Sequence, residues 1–161
     1  MARLYLAGAS VGNYALFAGG QTGTTSYHDT VDAYDTSLTR STSTALSVAR
    51  GSLAEVSVGN YALFAGGRTD TINTTSYYDT VDAYDTSLTR STPTALSQGR
   101  DRLAGASIGN YALFAGGYGG PSPNRRNTVD AYDISLTRST PTVLSVARGS
   151  LAEVSVGNYA L

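Results

Sequence analysis

The sequence predicts an all-β protein, a β-propeller assembled from four-stranded blades. The segment VGNYALFAGG begins at Val11 and returns nearly unchanged at Val58 and Ile108, with a shortened copy at Val156, at offsets of 47, 50 and 48 residues. Self-similarity at this period indicates an array of equivalent units. Each unit holds four short segments between turn residues, apolar at the first and polar at the last, and this gradient is typical of a propeller blade.

The repeat divides the chain into a single array of three complete units and one partial unit. The units cover residues 2–48, 49–98, 99–146 and 147–161. Residues 144–161 are identical to residues 46–63 over eighteen positions. The sequence therefore predicts three blades plus a half blade per chain.

The second unit illustrates the predicted strands in order. Residues 53–58 are apolar and are followed by Gly59-Asn60, a two-residue hairpin signal. Tyr61–Ala65 is apolar at every position, as expected of a strand buried on both faces, and it ends at a Gly-Gly pair where the chain must bend or approach another backbone. A polar loop leads to residues 80–85, which alternate and contain the β-favouring residues Val and Tyr.

The fourth predicted strand covers residues 90–97 (RSTPTALS). Pro93, matched by Pro141 and by Ser43, removes a ladder donor and favours an edge position. The recurring aspartates are predicted to cap turns and to pair with arginines, because a calcium loop would need denser oxygen ligands. These residues are Asp32, Asp82 and Asp130, then Asp35, Asp85 and Asp133, with Arg40, Arg90 and Arg138 as the arginines.

The order of these features resembles the kelch repeat. A Gly-Gly pair follows an apolar strand, as at Gly66-Gly67, then comes a Tyr-Asp pair, as at Tyr84-Asp85, and later an Ala-Arg pair at Ala49-Arg50. Kelch units usually carry a tryptophan after Tyr-Asp. Here the chain reads Ser-Leu-Thr-Arg-Ser, similar to a bacterial-type variant without tryptophan, and we expect Leu88 to take over the packing between blades. The resemblance implies galactose-oxidase-like blades, used chiefly for protein or ligand binding.

Composition argues against several classes of function. Eleven arginines against twelve acidic residues give a net charge of −1, which disfavours a nucleic-acid binder. The chain has no cysteine and therefore no thiolate metal site. His28 is the only histidine and cannot form a triad or a three-ligand metal site alone, so we expect a solvated loop residue and neither cofactor nor metal. No apolar run predicts a signal peptide, a transmembrane segment or a membrane partner, and the compartment stays open.

Three blades do not close a ring, since propellers have roughly four to eight. An open array of three blades is explained by self-association into a ring, by the chain being a fragment, or by aggregation. We favour a homodimeric ring in which two chains supply six complete blades. The partial unit then duplicates residues 2–16 of the partner, so the two segments either compete for one place or exchange between protomers. A first-strand position alternates as Gly8, Glu55, Gly105 and Glu153, which hints at an even number of blades.

The loops between the second and third strands are the candidate binding face. They contain 10, 13 and 11 residues and are where the repeats diverge. Strand alternation places them on the same face as the arginines that precede each first strand, and Tyr and Arg are the residue types that anchor interfaces. The candidate residues are Tyr27, His28, Arg68, Tyr77, Tyr78, Tyr118, Arg125 and Arg126, together with Arg50, Arg100 and Arg148. The alternative is that these arginines brace adjacent blades.

The predicted function is that of a non-enzymatic binding or scaffold module. It associates with itself and is expected to bind a protein or a glycan through the loop-bearing face. The alternative is a fragment or engineered repeat array whose only property is self-assembly, although the divergent loops favour a natural sequence. An enzyme on a propeller scaffold would need convergent acids, histidines or metal ligands, and the sequence shows no such set.

Overall fold

The computed structural model describes residues 2–152, 155–156 and 159–160, and this part of the chain consists of strands and turns. Blade 1 contains β1 (Ala7–Val11), β2 (Tyr14–Ala18), the hairpin β3 (Gln21–Thr22) and β4 (Ser26–Tyr27), then β5 (Val31–Tyr34) and β6 (Arg40–Thr42). Blade 2 contains β7 (Ala54–Val58), β8 (Tyr61–Ala65), the hairpin β9 (Arg68–Asp70) and β10 (Thr75–Tyr77), then β11 (Val81–Asp85) and β12 (Arg90–Ser91). Blade 3 contains β13 (Ala104–Ile108), β14 (Tyr111–Ala115), β15 (Val129–Asp133) and β16 (Arg138–Ser139), and the short pair β17 (Ser155–Val156) and β18 (Tyr159–Ala160) follows.

Four strands of each blade form one antiparallel sheet, and the hairpins β3–β4 and β9–β10 are separate two-stranded sheets, so the all-β prediction is confirmed. The strand orders are β1-β2-β5-β6, β7-β8-β11-β12 and β13-β14-β15-β16. The register repeats between blades, with Ala7 opposite Ala18, Ala54 opposite Ala65 and Ala104 opposite Ala115. Among the described residues no helix is long and apolar enough to cross a bilayer.

The blades lie side by side with their first strands together. Strand β7 lies between β1 and β13, and β17 and β18 contact β13 from the other side. The Gly-Gly pairs permit this approach, because a Cβ on Gly66 would lie 2.5 Å from the carbonyl oxygen of Arg100. Gly66 also has a φ of 67°, which a residue with a side chain rarely adopts. The predicted close approach of two backbones at Gly66 is therefore confirmed.

The turn after the third strand forms as predicted. One carboxyl oxygen of Asp85 accepts hydrogen bonds from the amides of Ser87 and Thr89, both at 2.9 Å. Leu88, inside this turn, has a φ of 62° and packs against the apolar core between blades 1 and 2. Leu88, which was expected to pack between blades, does lie there.

The fourth strand is shorter than the sequence predicts. In blade 2 it covers Arg90–Ser91, and residues 92–97 leave the sheet. Pro93 has no amide hydrogen to continue the ladder. The chain after it turns towards the loop of its own blade, where the amide of Leu96 donates to the carbonyl of Asp79 at 2.7 Å.

Candidate interaction surfaces

Two junctions between neighbouring blades are formed within the chain, and they have the same composition. One face of the preceding blade, rich in Leu, Val and Ala, packs against an aromatic face of the following blade. At the junction of blades 1 and 2, Phe64 and Tyr84 are fully buried, with ring centroids 5.9 Å apart in an edge-to-face arrangement. The hydroxyl of Tyr84 donates to the carbonyl of Thr44 in blade 1 at 2.8 Å. Phe114, Tyr132 and Thr94 repeat these contacts at the second junction.

A buried ion pair lies at each junction. Arg50 contacts Asp82 at 2.9 Å and Arg100 contacts Asp130 at 2.8 Å, and all four side chains have an exposed fraction of 0%. Arg50 also donates to the carbonyls of Gly66 and Phe64. Burial lowers the pKa of both arginines, and the carboxylates oppose this effect. The acceptors around Arg50 offset the cost of removing its charge from water. Arg100 donates only through Nη2, to Asp130 and to the carbonyl of Phe114, and its Nε and Nη1 have no hydrogen-bond partner among the described residues.

This placement corrects the expectation that Arg50 and Arg100 belong to a binding face. A side chain without accessible surface cannot contact a partner, and both arginines brace blades instead. The pairing with the strand arginines is confirmed, at 2.7 Å for Arg40 with Asp32 and 2.9 Å for Arg138 with Asp130. Arg90 lies 3.8 Å from Asp82.

Blade 1 presents an aromatic face that no other described blade covers. Phe17 is 40% exposed and Leu38 is 81% exposed, although Phe64, the counterpart of Phe17 in blade 2, is fully buried. Phe17 and Tyr34 keep the edge-to-face contact, with ring centroids 5.9 Å apart. Asp32 lies on the same face, paired with Arg3. We call this surface the aromatic flank, defined by Ala15, Phe17, Asp32, Tyr34 and Leu38.

Blade 3 presents the opposite kind of face. Leu113 is partly exposed, whereas its counterparts Leu16 and Leu63 are fully buried. This aliphatic flank surrounds a cleft of about 530 Å³. Its lining includes Leu113, Ala115, Val129, Pro141, Thr142 and Leu144, with Arg148 at the edge.

The second-to-third-strand loops and the segments before the first strands lie on one face, as predicted. Backbone hydrogen bonds join Leu4 to Gln21, Gly51 to Arg68 and Asp101 to Tyr118. Two of these loops contain short hairpins that the sequence analysis missed, β3–β4 and β9–β10.

Several of the predicted face residues are held by contacts within their own loops. His28, expected to be a solvated loop residue, is half-buried, and its Nε2 lies 2.9 Å from the hydroxyl of Thr22. Tyr78 contacts Thr69 at 3.1 Å, and Arg126 donates to the carbonyl of Pro123 at 2.8 Å. Tyr77 pairs with Arg68 in the β9–β10 hairpin, and Arg125 is exposed.

A charged cluster on this face was missed by the sequence analysis. Asp101 is only 1% exposed, and its carboxyl oxygens have no hydrogen-bond partner among the described residues. Arg68 lies 3.3 Å from it and Arg102 lies 3.7 Å from it. Arg68 also contacts Asp70, which accepts a hydrogen bond from the hydroxyl of Tyr27 at 2.9 Å. Burial raises the pKa of the Asp101 carboxyl.

The sequence does contain a signal for this cluster. Asp101-Arg102 replaces the Gly-Ser pair found at Gly51-Ser52 and Gly149-Ser150, so it breaks the repeat. The Arg102 guanidinium lies over the ring of Tyr118, 6.0 Å from its centroid. Within the described ranges, no group of three His, Cys, Asp or Glu side chains could hold a metal ion.

Comparison with known proteins gives a structural match only. No protein-family model matches the chain. No curated protein matches it either. A solved structure titled "Structure of YjhT" superposes with a TM-score of 0.79 at 12% sequence identity, covering 98% of this chain and 56% of that one. The two proteins share the fold over the length of this chain, and this chain spans little more than half of the other.

Proposed function

We propose that this protein is a non-enzymatic scaffold module of kelch-like blades that associates head to tail with a second copy of itself. The aromatic flank of each copy would pack on the aliphatic flank of the other, and three blades from each copy would give a closed six-bladed ring. Six lies within the range of known propellers.

One observation carries this proposal: the two uncovered flanks are the two halves of a junction that the chain already forms twice. Leu38 corresponds to Leu88 and Leu136, which pack against the cores of the formed junctions. The polar groups also correspond. Tyr34 matches Tyr84, whose hydroxyl bonds to Thr44, and the place of Thr44 is taken by Thr142 on the aliphatic flank. A second copy would therefore supply the apolar and polar partners that each flank has at the two junctions within the chain.

Substitution of an exposed leucine tests this association. Leu38→Asp places a charge in the aromatic flank, and we expect the mass in solution to fall to that of one chain, 16.7 kDa, across a dilution series followed by light scattering. Ile72→Asp is the matched control, because Ile72 is 93% exposed but lies in the β9–β10 turn, away from both flanks. A wild-type chain of 16.7 kDa at every concentration would contradict the proposal. Large heterogeneous species would favour a fragment or an array that only assembles.

The charged cluster supports a second role for the loop-bearing face, binding of a protein or glycan. Arg68 is partly buried and Arg102 is exposed, and both lie near the carboxylate of Asp101, which has no hydrogen-bond partner among the described residues. The partly buried Tyr118 lies beneath the guanidinium of Arg102. Arginine and tyrosine at such a place are typical of recognition surfaces. A panel of immobilised glycans and peptides tests this role, with Arg68→Ala expected to abolish binding and Ile72→Asp to preserve it.

A further inference from the structure

The segment around Arg148 already lies where a junction arginine enters the following blade. The amide of Arg148 donates to the carbonyl of Arg126 at 3.0 Å, and its carbonyl accepts from Gly117 at 2.9 Å. Arg100 makes the same two backbone contacts with Tyr78 and Gly67, at 3.0 and 2.9 Å. The backbone of Arg148 therefore lies on blade 3 in the same way as the backbone of Arg100 lies on blade 2.

The side chain of Arg148 differs from those of Arg50 and Arg100. It is exposed, its Nε donates to the carbonyl of Val146 at 3.3 Å, and it pairs with no carboxylate of the described residues. At the formed junctions the carboxylate comes from the third strand of the following blade, as with Asp82 and Asp130. On a second copy docked at the aliphatic flank, the residue at this place is Asp32.

Asp32 already pairs with Arg3 and Arg40 of its own copy, and each formed junction holds one fully buried arginine, Arg50 or Arg100. The residue at position 149 indicates whether the segment at Arg148 or the segment at Arg3 of the second copy fits better against blade 3. A Cβ on Gly149 would lie 2.3 Å from the ring of Tyr118, which itself stacks on Arg102. The residue that follows Arg3 is Leu4, which carries a Cβ. Gly149 fits against blade 3, whereas Leu4 of the second copy at the same place would require the ring of Tyr118 to shift.

We propose, resting on the association proposed above, that the two copies exchange their junction segments: Arg148 of each copy pairs with Asp32 of the other and displaces Arg3 there. Residues 148–152 of each copy then take the place of residues 3–7 of the other copy. The sequence is compatible with this exchange, because residues 156–161 are also identical to residues 11–16. Such an exchange joins two protomers with contacts that each already makes internally.

Two arginine substitutions test the exchange. We expect Arg148→Ala to raise the dissociation constant of the dimer by about tenfold or more, because it removes the ion pair to Asp32 of the second copy and leaves Arg3 of that copy in place there. Arg3→Ala should leave the constant unchanged or lower it, since it removes the competing arginine. Sedimentation over a concentration series measures both, and Thr24→Ala, in an exposed loop, is the control.

A truncation supplies the second measurement. Removal of residues 147–161 should weaken the dimer if the segment crosses between copies, and a tighter dimer would overturn the exchange by showing that the segment only obstructs the flank. Weakening by Arg3→Ala with no effect of Arg148→Ala would overturn it too. In both cases the dimer persists in the wild type, so the association stands; a chain that never associates would remove both proposals.

Discussion

At the scale of single residues, the blades are joined by buried ion pairs between arginine and aspartate. Asp130 accepts from Arg100 at 2.8 Å, from Arg138 at 2.9 Å and from the amide and hydroxyl of Ser97 at 3.1 and 3.0 Å. One carboxylate thus connects the second blade, the junction arginine and the third blade. A buried charge with this many donors is stable where an unpaired one would not be.

Asp130 and Asp101 are both buried aspartates, and their substitution should have different effects. Asp130→Asn leaves a buried guanidinium without its counter-charge, and we expect a loss of about 3–5 kcal/mol in the free energy of unfolding. Asp101→Asn should cost less than about 1 kcal/mol, because the carboxyl oxygens of Asp101 have no hydrogen bond to lose among the described residues and its arginines reach solvent. Urea unfolding at neutral pH measures both. Equal losses would contradict this account of the junction.

The sequence was enough to pair Asp32 and Asp130 with Arg40 and Arg138, since these lie on adjacent strands at a fixed spacing. It did not reveal that each of the third-strand aspartates also contacts an arginine from the segment before a first strand, namely Arg3, Arg50 or Arg100. Strand alternation places the backbone of Arg50 on the loop-bearing face, but the direction of a long side chain depends on acceptors from other segments. Those acceptors, the carbonyls of Gly66 and Phe64, are brought together only by folding.

At the scale of the strands, the packing of first strand against first strand depends on a small side chain. A Cβ on Gly105 would lie 2.5 Å from the carbonyl oxygen of Glu55 and 2.7 Å from Cγ2 of Val56. Gly8, at the equivalent place in β1, has no blade before it in the chain, and its Cβ would meet the ring of Phe17 at 3.2 Å. The alternation of Gly with Glu thus has a steric cause where β13 meets β7.

Substitution of these two glycines by alanine should measure the steric effect of an added Cβ alone. Neither glycine has a positive φ, so alanine introduces no backbone strain at either place. Gly105→Ala forces β13 away from β7, and we expect a loss of about 1–3 kcal/mol in the free energy of unfolding. Gly8→Ala should cost under about 1 kcal/mol, since the Phe17 ring can shift towards solvent. Thermal unfolding of both variants at one protein concentration makes the comparison. A larger loss for Gly8→Ala would show that the steric argument is wrong.

Strand positions were largely predictable, because apolar runs and glycine turns have local causes. Tyr61–Ala65 is found as predicted. The hairpin β9–β10 was not predicted, since its residues are polar and Arg68–Asp70 pairs with Thr75–Tyr77 across a turn without a glycine. The fourth strand was overestimated for a related reason: residues beyond Pro93 bond to a loop that is distant in sequence.

At the scale of the whole molecule, the repeat alone predicted that three blades would not close a ring, and the structure leaves a flank uncovered on blade 1 and another on blade 3. It could not show that the flanks correspond side chain by side chain to a junction inside the chain, because that correspondence depends on which face of each sheet a residue occupies. Phe17 and Leu113 reveal this correspondence. Phe17 is exposed and Leu113 is partly exposed, whereas their counterparts in blade 2, Phe64 and Leu63, are fully buried.

Residues 46–63 and 144–161 are identical in sequence, so one segment can serve as the internal control for proteolysis of the other. Trypsin meets the same local sequence at Arg50-Gly51 and Arg148-Gly149, but Arg50 is fully buried and Arg148 is exposed. The ratio of the two cleavage rates therefore measures the protection given by folding at one bond relative to the other, free of sequence preference. Exchange between copies would bury Arg148, so its cleavage should slow as the protein is concentrated. A concentration-independent rate would mean that Arg148 stays outside the dimer.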